Sequence, residues 1–190
     1  MTMRLVYKLF LAAASGALVF VSFPYADEGR LGWLLAWVVA YGWTGALFAV
    51  TILWPYLDRN NRPMIRGMGL VAASVLSFWC ANWTVNHFPG NGSWGMPNTA
   101  NFIASSIVGA AIVFIAAKFF VPFRWSKKYV SLGLGVAVLG GWLFDVLVNA
   151  IPENDYGLMA GFIAWHCLMC TSLHFSTLPD RKMVGAHAAN

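Results

Sequence analysis

The sequence predicts an all-α integral membrane protein, a polytopic bundle of six transmembrane helices, and three observations lead to this fold class. Apolar residues form 59% of the 190 residues and charged residues only 10%, whereas soluble domains carry about 25% charged residues. Six apolar segments have the length of about 20 residues that a bilayer span requires. Eleven of the 12 basic residues lie where these segments would meet one and the same side of the membrane. The composition therefore argues against a soluble domain.

The six predicted spans follow one another with short connections. They cover residues 5–23, 31–53, 67–85, 101–120, 129–151 and 157–178, and a short cytoplasmic tail, residues 179–190, follows them. Prolines lie just beyond the ends of the spans, as expected for a residue that lacks the backbone N–H group a helix needs. The first span begins like a signal peptide, but we expect it to be retained because no clear cleavage site precedes a soluble domain.

Basic residues predict the orientation of the spans. Basic connections stay in the cytoplasm, so both termini are expected there, in a bacterial inner membrane. The net charge of +5 is then explained by basic residues that set the orientation of the spans, and we expect no nucleic-acid partner. The expected partners are the lipid bilayer and either further copies of the chain or other membrane subunits. Only Arg30 lies on the external side, whereas the cytoplasmic side has Arg4, Lys8, Arg59, Arg62, Arg66, Lys118, Arg124, Lys127, Lys128, Arg181 and Lys182.

Polar residues of the last two spans form the main candidate site. Asp145 is the single acidic residue placed within a span, and Asn149 lies four residues later on the same helix face. A short turn joins the two antiparallel helices, so His166 in the sixth span is expected at a depth similar to that of Asp145. We predict an Asp145–His166 contact, and all three side chains are candidates for a proton relay or for lining a transport path. The alternative is an interhelical hydrogen bond that only holds the two helices together.

Other polar residues within the spans are secondary candidates for polar contacts or ligation. Cys170 and His174 follow His166 at four-residue spacing, which metal sites use. Three ligands on successive turns extend over about 12 Å, so a metal ion would need Asp145 or a ligand from elsewhere. The sequence leaves the metal and cofactor content undetermined. Cysteines in apolar helices are expected to be reduced and buried. The remaining secondary candidates are Cys80, Asn82 and His87.

A short pattern recurs 87 residues apart: Cys, Thr, His and Phe occupy equal positions in residues 80–88 and 167–175. These stretches end the third and the sixth predicted span. With three spans in each half, the halves would have opposite orientations, as in the inverted repeats of many transporters. Four matches in nine positions can also arise by chance, so a 3+3 inverted repeat is one of two interpretations.

Taken together, these features favour a small membrane channel or transporter for a small solute or ion, with proton coupling through Asp145 and His166. The alternative from another class is an integral membrane subunit of a larger enzyme or redox complex that binds lipid, quinone, pigment or metal. A membrane-embedded enzyme acting on a lipid is a third interpretation. The sequence contains no nucleophile elbow, phosphate loop or zinc-protease helix, and we predict no catalytic residue. Transport predicts a continuous polar cavity, whereas a subunit predicts tight packing and an enzyme a pocket that opens sideways to lipid.

Overall fold

The computed structural model describes residues 3–22, 45–46, 48–50, 63–87, 98–120, 126–151 and 154–177. Residues 45, 46 and 48–50, called the 45–50 segment below, are helical, and none of the described residues lies in a β-strand. The five helices are α1 (Met3–Ser22), α2 (Pro63–His87), α3 (Thr99–Phe120), α4 (Lys127–Ala150) and α5 (Asn154–Thr177).

The all-helical prediction is confirmed for the described residues. Four of the helices are long and apolar enough to cross a membrane, and α1 contains a shorter apolar stretch, Leu5–Leu18. Five of the six predicted spans coincide with α1–α5 to within a few residues at each end. Most of the second predicted span, residues 31–53, and the tail after residue 178 lie outside the described residues, so the count of six stays a prediction.

Helices that follow one another in the chain pack side by side. The extensive contacts are α2 with α3, α3 with α4, and α4 with α5, and α1 packs against α5. The 45–50 segment contacts both α2 and α5, the first and the last helix of the row α2–α5. Gly45 lies against the backbone of Val75 on α2, and the ring of Phe48 lies 5.2 Å from that of His166 on α5. The described elements therefore surround a common interior.

Glycines allow the helices to approach closely at two of these interfaces. A Cβ atom on Gly141 of α4 would lie 2.6 Å from the Cα atom of Ile103 on α3. A Cβ atom on Gly16 of α1 would lie equally close, at 2.6 Å, to the Cα atom of Ile163 on α5. Real Cβ atoms do not come so near to a backbone, so both interfaces require glycine at these positions. Small residues at such contacts are typical of helix packing in membranes.

Large apolar side chains cover the outside of the bundle. Phe10, Met64 and Phe119 are 71%, 76% and 65% exposed. Soluble proteins rarely present extensive apolar surface to water, whereas lipid tails solvate such side chains well. The surface and the four long apolar helices are therefore compatible with integration into a membrane.

The two ends of the four-helix unit α2–α5 differ in charge. Neighbouring helices alternate in direction, so α2 and α4 begin at the end where α3 and α5 finish. We call this the basic end, because it contains Arg66, Lys118, Lys127 and Lys128. The opposite end contains Asp145 and is called the carboxylate end below.

Candidate functional site

A cavity of about 260 Å³ lies between α2, α3, α4 and α5. Its described lining is predominantly apolar and includes four phenylalanines and one tryptophan. No charged side chain is found among the lining residues that the structure describes. They are Ser77, Phe78, Ala81, Asn82, Val85, Phe102, Ser105, Ser106, Gly109, Gly141, Phe144, Leu158, Phe162 and Trp165.

The cavity occupies the half of the bundle next to the carboxylate end. On α2 its lining begins at Ser77, in the second half of the helix, and on α3 it ends at Gly109, in the first half. Its lining on α4 and α5 lies in the corresponding halves. In the other half, α3 and α4 form a second groove of about 140 Å³, which is lined by Ala110, Ala111, Phe114, Ile115, Val130, Gly133 and Leu134.

Buried hydrogen bonds fix the inner wall of the cavity. The indole N–H group of Trp165 donates to the hydroxyl of Ser106 at 2.7 Å, and this hydroxyl donates to the backbone carbonyl of Ala137 at 2.7 Å. The hydroxyl of Ser77 donates to the carbonyl of Gly109 at 2.8 Å. The first two bonds connect α5 to α3 and α3 to α4, and the third connects α2 to α3. They also satisfy the indole of Trp165, as a tryptophan in a dry interior requires.

Asp145 lies at the carboxylate end and is held by two side chains. The hydroxyl of Thr99 on α3 donates to its Oδ2 atom at 2.6 Å, and the amide of Asn149 donates to its Oδ1 atom at 2.9 Å. The Asn149 amide also donates to the Asp145 backbone carbonyl at 2.9 Å. The expected pairing of Asp145 with Asn149 on one helix face is thus present. Thr99 lies one turn from Phe102, and Asp145 one turn from Gly141, so this group lies just beyond the cavity lining.

The start of α3 positions Thr99. The backbone N–H group of Asn98 donates to the Oδ1 atom of Asn101 at 3.0 Å, and the N–H group of Asn101 donates to the Oδ1 atom of Asn98 at 3.1 Å. This reciprocal arrangement satisfies backbone donors that have no partner within the first helical turn. Asn101 is fully buried, so the capped turn is anchored in the bundle and presents Thr99 to α4.

His166 lies at the middle of α5 and is fully buried. Its ring is surrounded by those of Phe48, Phe78, Phe162 and Trp165, with centroids between 5.2 and 6.5 Å away; we call these four residues the aromatic cluster. The Ala12 backbone on α1 is close to the ring. Nevertheless, neither ring nitrogen meets hydrogen-bond geometry with any atom of the described chain. Phe78, Phe162 and Trp165 also line the cavity, so they separate its interior from the imidazole.

The structure does not bring Asp145 and His166 into the predicted contact. Gly157 of α5 packs against the backbone of Val148, which sets the register of the two antiparallel helices. Counted from that level toward the basic end, His166 lies nine residues after Gly157 on α5, whereas Asp145 lies only three residues before Val148 on α4. The difference places the imidazole about 9 Å closer to the basic end. The prediction assumed that Gly157 lies level with the end of α4, but α5 begins at Asn154.

The secondary candidates are scattered through the bundle. Cys80 and Cys167 are half-buried, Cys170 is fully buried, and all three are free thiols. His174 is also buried and lies edge-on to Phe175. Within the described ranges, no three His, Cys, Asp or Glu side chains are grouped closely enough to hold a metal ion.

Asn82 and His87 both lie in the last two turns of α2 but have different surroundings. Asn82 lines the cavity. His87, at the end of the helix, is exposed and stacks on Trp83 with the ring centroids 4.7 Å apart. The His87 Nδ1 atom lies 2.9 Å from the Trp83 carbonyl. This histidine is therefore engaged within its own helix.

Sequence reasoning did not identify the cavity itself. Thr99 precedes a predicted span and gave no signal of its own, although a hydroxyl there can reach a carboxylate on the next helix. Phe102 and Phe144 belong to a chain with 14 phenylalanines, so composition alone could not distinguish them. The available signal was the set of small residues of α3, Ser105 and Gly109, facing helices rich in aromatic residues.

The described residues define a class of protein: helices that are long and apolar enough to cross a membrane, with a small cavity between them whose described lining carries no charge. Protein-family models, curated proteins and solved structures all lack a match to this chain. The function must therefore be argued from the residues and their geometry.

Proposed function

We propose that the chain is a six-span integral membrane protein of the bacterial inner membrane that transports a small solute. Both termini and the basic end would face the cytoplasm, and the cavity would face the external half. The observation that carries this proposal is the cavity between four apolar helices, with the Thr99–Asp145–Asn149 group just beyond it. Solute sites of transporters commonly lie between packed helices, where broken packing provides space.

The polar groups suggest how transport would be coupled to protons. Asp145 and Asn149 would act at the external mouth, where the carboxylate can exchange protons with water. His166 would act at the inner wall, beyond Phe78, Phe162 and Trp165. Because about 9 Å of helix axis separates the two groups, a proton would pass between them along water in the cavity, and the rings of Phe78, Phe162 and Trp165 would have to move aside for it to reach the imidazole. The predicted direct contact is not needed for this route.

A 3+3 inverted repeat would fit this proposal, because inverted halves exchange outward and inward openings around a shared site. Its support is limited to the recurring pattern and one shared local feature. The hydroxyl of Thr84 donates to the carbonyl of Cys80 at 2.7 Å, and the hydroxyl of Thr171 donates to that of Cys167 at 2.8 Å. Threonines within helices commonly form this bond, so it adds little weight.

The second candidate function is an integral subunit of a larger membrane complex. The observation that favours it is the exposed apolar surface of α1 and α2, where Phe10 and Met64 are 71% and 76% exposed. A partner helix would cover such a surface as readily as lipid. In that case the cavity would hold a lipid, a quinone or a pigment that the larger complex uses.

Orientation can be tested with single cysteines in a chain that lacks Cys80, Cys167 and Cys170. We expect an impermeant maleimide to label Asn98→Cys in intact cells. Lys118→Cys and Lys127→Cys should react only after the membrane is opened, because the basic end should face the cytoplasm. Labelling of residues 118 and 127 from opposite sides would contradict the proposed topology.

Transport itself can be tested in proteoliposomes that contain a trapped pH-sensitive dye. Under an imposed proton gradient, a panel of small uncharged solutes should accelerate proton entry through the wild-type protein. We expect at least a tenfold slower entry with Asp145→Asn, since the amide cannot exchange a proton near neutral pH. Ser131→Ala, an exposed position on the same helix, is the control and should behave as wild type. Equal proton entry in wild type and Asp145→Asn, or no entry in either, would contradict proton-coupled transport.

A further inference from the structure

We propose that the cavity binds a small, uncharged aromatic molecule that has one hydrogen-bonding group. Its ring would pack among Phe102, Phe144 and Phe162, and its polar group would bond to the hydroxyl of Ser105. This inference rests on the proposed transport function and names the class of solute. Four features of the cavity lead to it, namely its size, its rings, its single available hydroxyl and its lack of charge.

The size of the cavity fits a single substituted ring or a small fused pair of rings. Apolar cavities of about 150 Å³ bind benzene, and this cavity measures about 260 Å³. Sites for drug-sized ligands begin at about 300 Å³. A single ring or a small fused pair of rings therefore fits within this volume, whereas a complete lipid or a large planar pigment would extend beyond it.

The arrangement of the phenylalanine rings suits an aromatic guest. Phe102 and Phe144 are stacked, with centroids 5.4 Å apart and planes at 25°. Phe162 meets Phe144 edge-on, with centroids 5.1 Å apart and planes at 88°. The wall is thus built from rings in both orientations that aromatic pairs prefer. An aliphatic molecule of equal size would gain the burial but not these ring contacts.

Ser105 provides a hydroxyl to the cavity, whose lining also contains the amide of Asn82, with its Oδ1 accepting from the Asn86 amide at 3.3 Å. The other two serines in the lining, Ser77 and Ser106, use their hydroxyls in buried interhelical bonds of 2.8 and 2.7 Å. Ser105 is half-buried, and its hydroxyl takes no part in the interhelical bonds of Ser77 and Ser106. A ligand that donates or accepts one hydrogen bond would satisfy this hydroxyl, which lies one turn from Phe102.

The electrostatics favour an uncharged ligand. The described lining residues carry no charge, so a carboxylate or an ammonium group would lose its hydration without gaining a counter-charge. Aromatic rings can attract cations, and the carboxylate among the described side chains is that of Asp145. Both oxygens of that carboxylate already accept hydrogen bonds, from Thr99 and Asn149, and it lies one turn beyond the lining. A neutral molecule is therefore preferred.

Binding can be measured with radiolabelled indole and the full chain in lipid nanodiscs. Indole also dissolves in lipid, so protein-free nanodiscs give the background, and Ser105→Phe, whose larger side chain fills the cavity, should retain no more indole than they do. Val85→Phe is a second filling variant should Ser105→Phe fail to elute as a single species. The matched control is Ala111→Phe, which adds the same ring to the second groove in the other half of the bundle.

We expect saturable binding of one indole per chain in the wild type and in Ala111→Phe, and none in the filled variants. Ser105→Ala should weaken binding roughly three- to tenfold, the effect of one hydrogen bond. Benzyltrimethylammonium and benzoate should compete at least tenfold less well than unlabelled indole. Equal binding by wild type and both filled variants, or stronger competition by either ion, would overturn the inference.

The result separates this inference from the proposed function. Proton-coupled flux without indole binding would reject the aromatic solute and leave transport intact. Saturable indole binding without any flux would support the cavity as an aromatic site. It would at the same time contradict transport and favour a binding subunit.

Discussion

Asp145 and His166 lie on neighbouring helices, yet the protein treats the two polar side chains in opposite ways. Asp145 lies near a helix end and both its carboxylate oxygens accept hydrogen bonds. His166 lies at mid-helix, is fully buried and has no hydrogen-bond partner within the described chain. The carboxylate is therefore held by hydrogen bonds, whereas the imidazole packs among aromatic rings and close to the Ala12 backbone.

The two residues therefore differ in the free-energy cost of their burial. Hydrogen bonds to Asp145 offset the cost of removing a carboxylate from water, and its position near the end of α4 leaves water within reach. A buried polar group without a partner costs about 1–3 kcal/mol. Natural membrane proteins retain such groups mainly where they serve a function. His166 is thus the stronger sign of function, although Asp145 is the residue that sequence composition emphasises.

The largest expected effect comes from breaking the α3–α4 register that places Asp145 beside Thr99. Gly141→Leu would force a side chain into the backbone of Ile103, which lies 2.6 Å from a Cβ atom at this position. We expect the free energy of unfolding to fall by about 3 kcal/mol, at the upper end for overpacking. Titration of the purified protein in mixed micelles with SDS measures this change.

Gly135→Leu is the matched control on the same helix. No atom lies within 4 Å of a Cβ atom there, so we expect a change below about 0.5 kcal/mol, as at other unconstrained surface positions. Equal loss of stability in both variants would mean that the α3–α4 contact at Gly141 does not hold the register.

The next effect concerns the hydrogen bonds of the inner wall. Ser106→Ala removes the acceptor of the Trp165 indole and leaves its N–H group without a partner in a buried site. We expect a loss of about 2 kcal/mol in the same titration, within the range for an unsatisfied buried donor. Ser131→Ala, at an exposed position, should cost almost nothing. A loss below about 0.5 kcal/mol in Ser106→Ala would show that water or another group replaces the acceptor.

The elements of the fold were predictable because the apolar segments match a simple physical requirement of lipid. Each span must satisfy its own backbone hydrogen bonds, so it must be a helix of about 20 apolar residues. This requirement placed α3 within two residues of its observed bounds, Thr99–Phe120. The boundaries of α5 were less accurate: we predicted residue 157, but the helix begins at Asn154. Polar residues such as Asn154 and Asp155 are compatible with a first helical turn, and apolar length cannot detect them.

The site was less predictable because small errors in the helix boundaries change which residues lie at the same depth, and because the site is formed by residues far apart in the sequence. The prediction placed Asp145 and His166 at nearly equal depth, and three extra residues at the start of α5 were enough to separate them. Asn149 as the partner of Asp145 was predictable, since spacing within one helix fixes it. Thr99 was not, because its role depends on how α3 and α4 pack. The same reason hid Ser105 and the cavity.

A smaller effect, with the opposite sign, should follow replacement of the unpaired imidazole. His166→Leu removes two buried nitrogens without a partner and keeps a similar volume within the aromatic cluster. We expect the free energy of unfolding to stay the same or to rise by about 1 kcal/mol, because no hydrogen bond is lost. Proton entry in the dye assay should nevertheless fall at least tenfold if His166 relays protons.

Met169→Leu, a buried apolar exchange on the same helix, is the control for repacking and should cost less than about 1.5 kcal/mol. A clear destabilisation by His166→Leu alone would mean that the imidazole bonds to a neighbour such as the Ala12 backbone. His166 would then resemble Asp145, and the contrast between the two residues would disappear.

The smallest effect is expected from Thr99→Val, which removes one of the two donors to Asp145. The bond is only 2.6 Å long, but it lies at the bundle end, where water can replace the hydroxyl. Interhelical hydrogen bonds in membrane proteins contribute about 0.6 kcal/mol on average, and we expect a loss of that size in the SDS titration. A double-mutant cycle with Asp145→Asn isolates the bond from other effects of each change. A coupling above about 2 kcal/mol would mean that Asp145 is as dry as His166, and that burial does not distinguish the two sites.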